Sequence, residues 1–87
     1  MKKLLLFFFT ICTFSTFSQI VNIPDANFKA YLVGNYSINS NYDTHIQASE
    51  AAKYTGSIKC GFKKIKDLTG IEAFVKLTWL DCSGNDI

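Results

Sequence analysis

Two short segments of the chain share the same alternation of apolar and polar residues, and each predicts a short β-strand. Ile58 and Cys60 in the first segment align with Leu80 and Cys82 in the second when the sequence is shifted on itself by 22 positions. Apolar residues at every second position are typical of a strand with one buried face. A fixed period of roughly 20 to 29 residues is typical of repeat proteins, whose coils place their strands side by side in a parallel ladder.

The residues between the two strands have a different period. Apolar side chains recur at every third position, at Leu68, Ile71, Phe74, Leu77 and Leu80. A period close to three favours a 3₁₀ or irregular connector, and an ordinary amphipathic helix over 69–76 is the alternative. After the second strand, Asn85 is expected to bond backbone groups where the chain turns, whereas the equivalent position after the first strand holds Lys63.

Upstream of the strands the pattern predicts two short helices. Pro24 and Asp25 are typical of a helix start, and Gly34 is typical of a helix end. Apolar residues between them follow at i, i+3 and i+4 spacing, at Phe28, Tyr31 and Leu32. A second helix is expected over 48–54, with three alanines on one face.

The twelve residues 39–50 between these helices can be aligned with a calcium loop of the EF-hand type. Two positions depart from that pattern, because Asn39 replaces the usual first Asp and Thr44 replaces the Gly that allows the sharp turn. We expect millimolar calcium binding at best, and a metal-free helix-loop-helix is the alternative. The calcium ligands would be Asn39, Asn41, Asp43, His45 through its backbone carbonyl, Gln47 and Glu50.

The first eighteen residues have the features of a secretory signal peptide. Lys2 and Lys3 precede a short apolar stretch, and Thr16 and Ser18 predict cleavage before Gln19. A membrane anchor is the alternative, but the apolar stretch 4–17 is shorter than the span of about 20 residues that a membrane helix needs. We therefore expect a secreted or cell-surface protein with no membrane span after signal cleavage.

Charge and composition exclude several classes of function. Beyond the signal peptide, seven lysines and seven acidic residues give a formal net charge of zero, and the chain has no Arg. A neutral chain lacks the basic surface that nucleic-acid binding requires. His45 is the only histidine, and no glycine-rich phosphate loop is present, so we expect no enzymatic activity.

Strand alternation also predicts which side chains face outward. If Leu80 lies in the core, the residues on either side of it point away from the core. Trp79 would then be an exposed aromatic of the kind enriched at binding sites, and the alternative is that it packs under the first helix. The outward set forms a candidate binding surface that consists of Lys59, Trp79, Asp81 and Ser83.

The cysteines of the two strands occupy equivalent inward positions. Cα atoms one strand spacing apart lie just inside disulfide range, but in-register parallel strands orient such side chains poorly for a disulfide. We therefore expect Cys60 and Cys82 to be small buried thiols.

The segment 77–87 fits the pattern L-x-x-L-x-C-x-x-N-x-L, with Ile at the last place. With the upstream stretches 23–32, 49–51 and 66–74, it resembles the N-terminal region of secreted bacterial leucine-rich-repeat surface proteins of the internalin-like kind. The resemblance implies an α+β fold, in which a short helical N-terminal cap precedes the first coils of a leucine-rich-repeat solenoid with a parallel strand ladder.

The expected organisation has three parts: a signal peptide over 1–18, a helical cap with the degenerate EF-hand-like loop over 19–56, and two repeat coils over 57–87. Because coils bury their core by stacking, we expect this array to be truncated and the reading frame to be longer. The resemblance implies a non-catalytic extracellular adhesion module whose concave surface binds a protein or glycan. The alternatives are a purely structural solenoid cap with weak calcium binding, and the N-terminal part of a secreted enzyme whose catalytic region is missing.

Overall fold

The computed structural model describes residues 19–87, and the predicted signal peptide lies outside the described residues. The elements follow in the order helix α1 (Ala26–Val33), helix α2 (Ala48–Lys53), strand β1 (Ser57–Lys59), a 3₁₀ helix (Ile71–Ala73) and strand β2 (Trp79–Asp81). The two strands form a parallel sheet in which Ile58 is the partner of Leu80. This register is the one that the 22-residue shift of the sequence predicts.

The prediction of a leucine-rich-repeat solenoid behind a helical cap is wrong. The described residues form two short helices, a 3₁₀ helix and one pair of three-residue strands, and no repeat coils are evident among them. A solenoid needs about three or more stacked repeats to bury a continuous core, whereas the self-similarity here extends over two segments. One strand pair with short helices is therefore the architecture of residues 19–87.

The core is a single cluster of apolar side chains drawn from both halves of the described chain. Helix α1 contributes Phe28 and Leu32, and the first strand contributes Ile58. All three side chains are fully buried. Burial of such a side chain contributes roughly 1.5 to 3 kcal/mol, so these contacts hold the helix against the strand segment. The other buried members are Ile23, Ile38, Ile46, Ala51, Cys60, Ile65 and Phe74.

Asp25 begins helix α1, as the sequence predicts, and it also ties the helix to a distant part of the chain. Its Oδ1 accepts a hydrogen bond from the Phe28 N–H at 2.9 Å, which caps the first turn. Its Oδ2 accepts a hydrogen bond from the Lys66 N–H at 2.8 Å. One carboxylate therefore fixes both the start of the helix and the segment that follows β1.

Asn85 joins the two turns that follow the strands. Its Nδ2 donates to the carbonyl oxygens of Cys60 at 2.8 Å and Cys82 at 2.9 Å. Its Oδ1 accepts hydrogen bonds from the N–H groups of Lys63 at 2.9 Å and Ile65 at 3.1 Å. The predicted role of Asn85 in bonding backbone groups at the turn is thus confirmed, and it serves both segments.

The connector between the strands has the tight turn that its three-residue period predicts, at Ile71–Ala73. Gly70 precedes this turn with a φ of 108°, a region that favours glycine. A Cβ atom at this position would lie 2.8 Å from Ile23 Cγ1 and 3.0 Å from the Asn22 carbonyl oxygen. The N-terminal segment therefore packs directly on the glycine backbone.

Candidate functional site

The predicted binding surface lies on the two strands and the turn after β2, and we call Lys59, Trp79, Asp81 and Ser83 the strand face. The Trp79 side chain is 63% exposed, so the prediction that it points outward is confirmed. Lys59 and Ser83 are also exposed, and Asp81 is half-buried. Leu80, however, was expected in the core and is 39% exposed, because β1 is the only strand that borders β2 among residues 19–87.

Ser57 is the strand partner of Trp79, and charged residues follow two positions further along both strands. Lys59 and Asp81 are partners in the parallel register, as the alternation predicts. Asp81 Oδ1 accepts hydrogen bonds from the Ser83 hydroxyl at 2.7 Å and the Ser83 N–H at 3.1 Å. These bonds, assisted by the charge of Lys59, hold the pKa of Asp81 below its ordinary value. The carboxylate is therefore ionised and fixed at neutral pH.

The backbone beneath the strand face is held by side chains from other elements. The Thr78 hydroxyl donates to the Thr55 carbonyl at 2.8 Å or the Gly56 carbonyl at 3.0 Å, which fixes the start of β2. The Lys59 N–H donates to the Tyr31 hydroxyl of helix α1 at 2.9 Å. These bonds pre-organise the surface, which lowers the entropic cost of binding a partner.

Most predicted calcium ligands come together in loop 39–50, but they bond to protein groups. Asp43 Oδ2 accepts hydrogen bonds from Gln47 Nε2 at 2.7 Å and Asn41 Nδ2 at 3.2 Å. These bonds, with the Gln47 side chain the largest contributor, lower the pKa of Asp43. Glu50 Oε1 accepts from the Gln47 N–H at 2.9 Å, and its Oε2 accepts from the Ser40 N–H at 2.9 Å.

The remaining ligands divide between the interior and the surface. Asn39 is buried, and its Nδ2 donates to the carbonyl oxygens of Val33 and Asp43, which leaves its Oδ1 without a partner among the described residues. His45 is exposed. The positive φ of the loop falls at Tyr42, two positions before Thr44. Calcium fits this loop only if several of these hydrogen bonds are exchanged for contacts between oxygen and metal.

A groove that the sequence analysis missed opens between the α1–α2 loop and the end of α2. It is an open depression of about 510 Å³. Its lining includes Ser37, Ile38, Ser40, Glu50, Lys53 and Thr55. Tyr36 and Tyr42 lie within this loop and are 62% and 71% exposed. The sequence holds one signal for this surface. Two tyrosines stand in a mostly polar stretch, without the apolar periodicity of a buried helix or strand face.

The cysteines differ in their surroundings. Both are free thiols; Cys60 is buried and Cys82 is half-buried. Burial, with a smaller contribution from the neighbouring Cys82, raises the pKa of the Cys60 thiol. A buried thiol with a raised pKa is a poor nucleophile, so Cys60 contributes to packing.

Comparisons of the chain with protein-family models, curated proteins and solved structures find no match. In residues 19–87, no helix has the length and apolar character that a membrane span requires. Within the same residues, no three His, Cys, Asp or Glu side chains gather into a metal-binding group.

Proposed function

We propose that the chain is a non-catalytic extracellular module that binds a partner protein through the strand face. The exposed position of Trp79 is the observation that carries this proposal. Trp is enriched among the residues that dominate the energy of protein interfaces, and its burial by a partner removes a large apolar area from water. The extracellular location is inferred from the signal-peptide features of residues 1–18.

The charges beside Trp79 suit an interface more than they suit catalysis. Lys59 and Asp81 provide one charge of each sign at the rim, where such groups guide association and select partners. The Ser83 hydroxyl donates to Asp81 and belongs to the same turn, so its hydrogen bond serves the loop geometry. We infer that this pair fixes the orientation of the partner while Trp79 supplies most of the affinity.

The test compares three forms of the purified protein: wild type, Trp79→Ser and Val75→Ser. Val75 is a matched control because it is an exposed apolar side chain outside the strand face. Each form is immobilised, and extracellular proteins that it retains are identified, purified and titrated against it by calorimetry. We expect Trp79→Ser to abolish binding and Val75→Ser to retain it, with unchanged circular dichroism in both. Equal binding by Trp79→Ser and wild type would exclude the strand face as the interface.

Weak calcium binding in loop 39–50 is a second candidate function. The supporting observation is the buried Asn39 Oδ1, an oxygen without a partner among residues 19–87 that lies at the first ligand position. Asp43 and Glu50 would supply the charge that the ion needs. We expect calorimetry to detect millimolar binding that Asp43→Asn removes and that Asp67→Asn, in a different turn, retains. Absence of heat at tens of millimolar calcium would favour the metal-free loop.

A further inference from the structure

The two exposed tyrosines of the α1–α2 loop form a braced aromatic pair. The ring centroids of Tyr36 and Tyr42 lie 4.7 Å apart with an angle of 71° between the ring planes. This edge-to-face arrangement is a favourable aromatic geometry, so each ring limits the motion of the other. Both rings remain largely exposed although each is held by its neighbour. The pair therefore presents fixed aromatic faces to solvent.

The backbone holds Tyr42 in a conformation that costs free energy. Its φ is 61°, in the left-handed region that non-glycine residues rarely adopt. Such outliers concentrate at functional sites, where surrounding structure holds them in place. The Tyr42 N–H donates to the Asn39 carbonyl at 3.3 Å, and the buried Asn39 side chain in turn anchors the loop. An aromatic ring is thus kept at a position where glycine would be less strained.

The groove, whose lining begins at Ser37 directly after Tyr36 in the sequence, carries balanced charge. The Ser37, Ser40 and Thr55 hydroxyls lie along it, with one acidic residue, Glu50, and one basic residue, Lys53. The Glu50 carboxylate already accepts hydrogen bonds from backbone N–H groups of the protein. The lining also includes the buried Ile38 and the half-buried Tyr54, so the groove combines hydroxyl groups with apolar and aromatic surface. Charge balance and hydroxyl groups favour an uncharged ligand that is rich in hydroxyls.

We propose that the Tyr36–Tyr42 pair and the adjoining groove bind a neutral oligosaccharide. Sugar rings present a C–H face that stacks on an aromatic ring and hydroxyls at their edges that bond to polar side chains. Neither tyrosine lines the groove, but Tyr36 directly precedes Ser37 of its lining, so the ligand we expect is an oligosaccharide that stacks on the tyrosines with one unit and places another in the groove. An extended peptide ligand is less suited, because none of the groove residues belongs to a strand whose edge a peptide could extend. This surface uses none of the strand-face residues.

The test uses Tyr42→Gly as the main variant and Phe62→Gly as its matched control. Phe62 is also an exposed aromatic with positive φ, at 57°, and it lies in the turn after β1, outside the α1–α2 loop. Glycine relieves backbone strain at both positions, so loss of folding does not confound the comparison. The probes are cellohexaose, maltohexaose and chitohexaose, with hexagalacturonate as the charged counterpart. Binding is followed by calorimetry and by NMR shifts of backbone amides.

We expect at least one neutral hexasaccharide to bind wild type and Phe62→Gly, with shifts at Ser37, Ser40 and Thr55. Tyr42→Gly should weaken this binding by about five- to tenfold, in the range of an aromatic contact. Trp79→Ser should leave sugar binding unchanged. The experiment therefore tests this proposal independently of the strand-face proposal. Binding that Tyr42→Gly leaves intact, preference for hexagalacturonate, or no binding of any probe at millimolar concentration would overturn the proposal.

Discussion

The two strands have the same residue pattern and are paired in register, yet their apolar side chains are buried to different extents. Ile58 in β1 is fully buried, whereas its partner Leu80 in β2 is 39% exposed. The difference follows from what surrounds each strand. Ile58 of β1 lies in the core cluster with Phe28 and Leu32 of α1, while β2 has a strand neighbour on one side only among the described residues. Periodicity therefore indicates the pairing of strands, and neighbouring elements decide how deeply each strand is buried.

The largest effect is expected from a charge at Ile58, and the same change at its strand partner Leu80 is the comparison. Ile58→Asp should abolish folding, because an unpaired carboxylate in the core is too costly. Leu80→Asp should leave a folded protein, since its side chain can reach water. Thermal unfolding followed by circular dichroism compares the two variants. If Leu80→Asp also unfolds the protein, β2 is as buried as β1 in solution and the comparison is wrong.

Asn85 links the two segments, and its loss should have the next largest effect. Asn85→Ala removes five side-chain hydrogen bonds and leaves backbone groups of both turns without partners. We expect the free energy of unfolding to fall by about 2 to 4 kcal/mol. Urea denaturation measures this change, and Asn27→Ala is a control that removes a single exposed hydrogen bond to the Lys64 carbonyl. Similar losses in the two variants would show that Asn85 does not join the strands.

Acid should weaken the segment after β1 more than the segment after β2. The Lys66 and Phe28 N–H groups hold the pKa of Asp25 below its ordinary value of 3.8. A carboxylate with a lower pKa in the folded state contributes stability that is complete above the unfolded pKa and is lost as pH falls through the folded value. The free energy of unfolding should therefore decrease below pH 3.8.

Substituting Asp25 and Asp81 one at a time measures how much each contributes to the loss of stability in acid. Asp25→Asn should flatten the pH dependence more than Asp81→Asn, because Asp25 joins two elements while Asp81 bonds within its own turn. Urea denaturation from neutral pH to pH 2.5 tests this difference. If both variants flatten the pH dependence of the free energy of unfolding equally, the acid effect comes from charge alone. The link that Asp25 makes between α1 and the segment at Lys66 would then have no role.

The smallest effect is expected at Trp79. Trp79→Ser should change the free energy of unfolding by less than about 0.5 kcal/mol, since an exposed side chain contributes little to the core. Acrylamide should quench the wild-type Trp79 emission efficiently. A blue-shifted emission that resists quenching, together with a large loss of stability, would place Trp79 in the core and remove the basis of the strand face.

Local features of this chain are predictable from sequence because each depends on a few neighbouring residues. The start of α1 at Asp25, the strand register and the turn chemistry of Asn85 follow from spacing and hydrogen-bonding groups. The solenoid and the burial of Leu80 were wrong because both depend on stacked neighbours that residues 19–87 do not supply. The Tyr36–Tyr42 pair was missed because its rings meet through a loop conformation with positive φ, which no periodic pattern indicates.

The two hydrogen bonds of Asp25 have a consequence for how the chain folds. One bond closes the first turn of α1, and the other spans 41 residues to Lys66. A helix of eight residues is too short to be stable alone in water, so α1 becomes stable only when its tertiary contacts form. Closing so long a loop before the helix is secured slows folding, since chain entropy is lost before the contacts compensate for it. The helix and the distant segment should consequently gain protection from hydrogen exchange in the same kinetic phase.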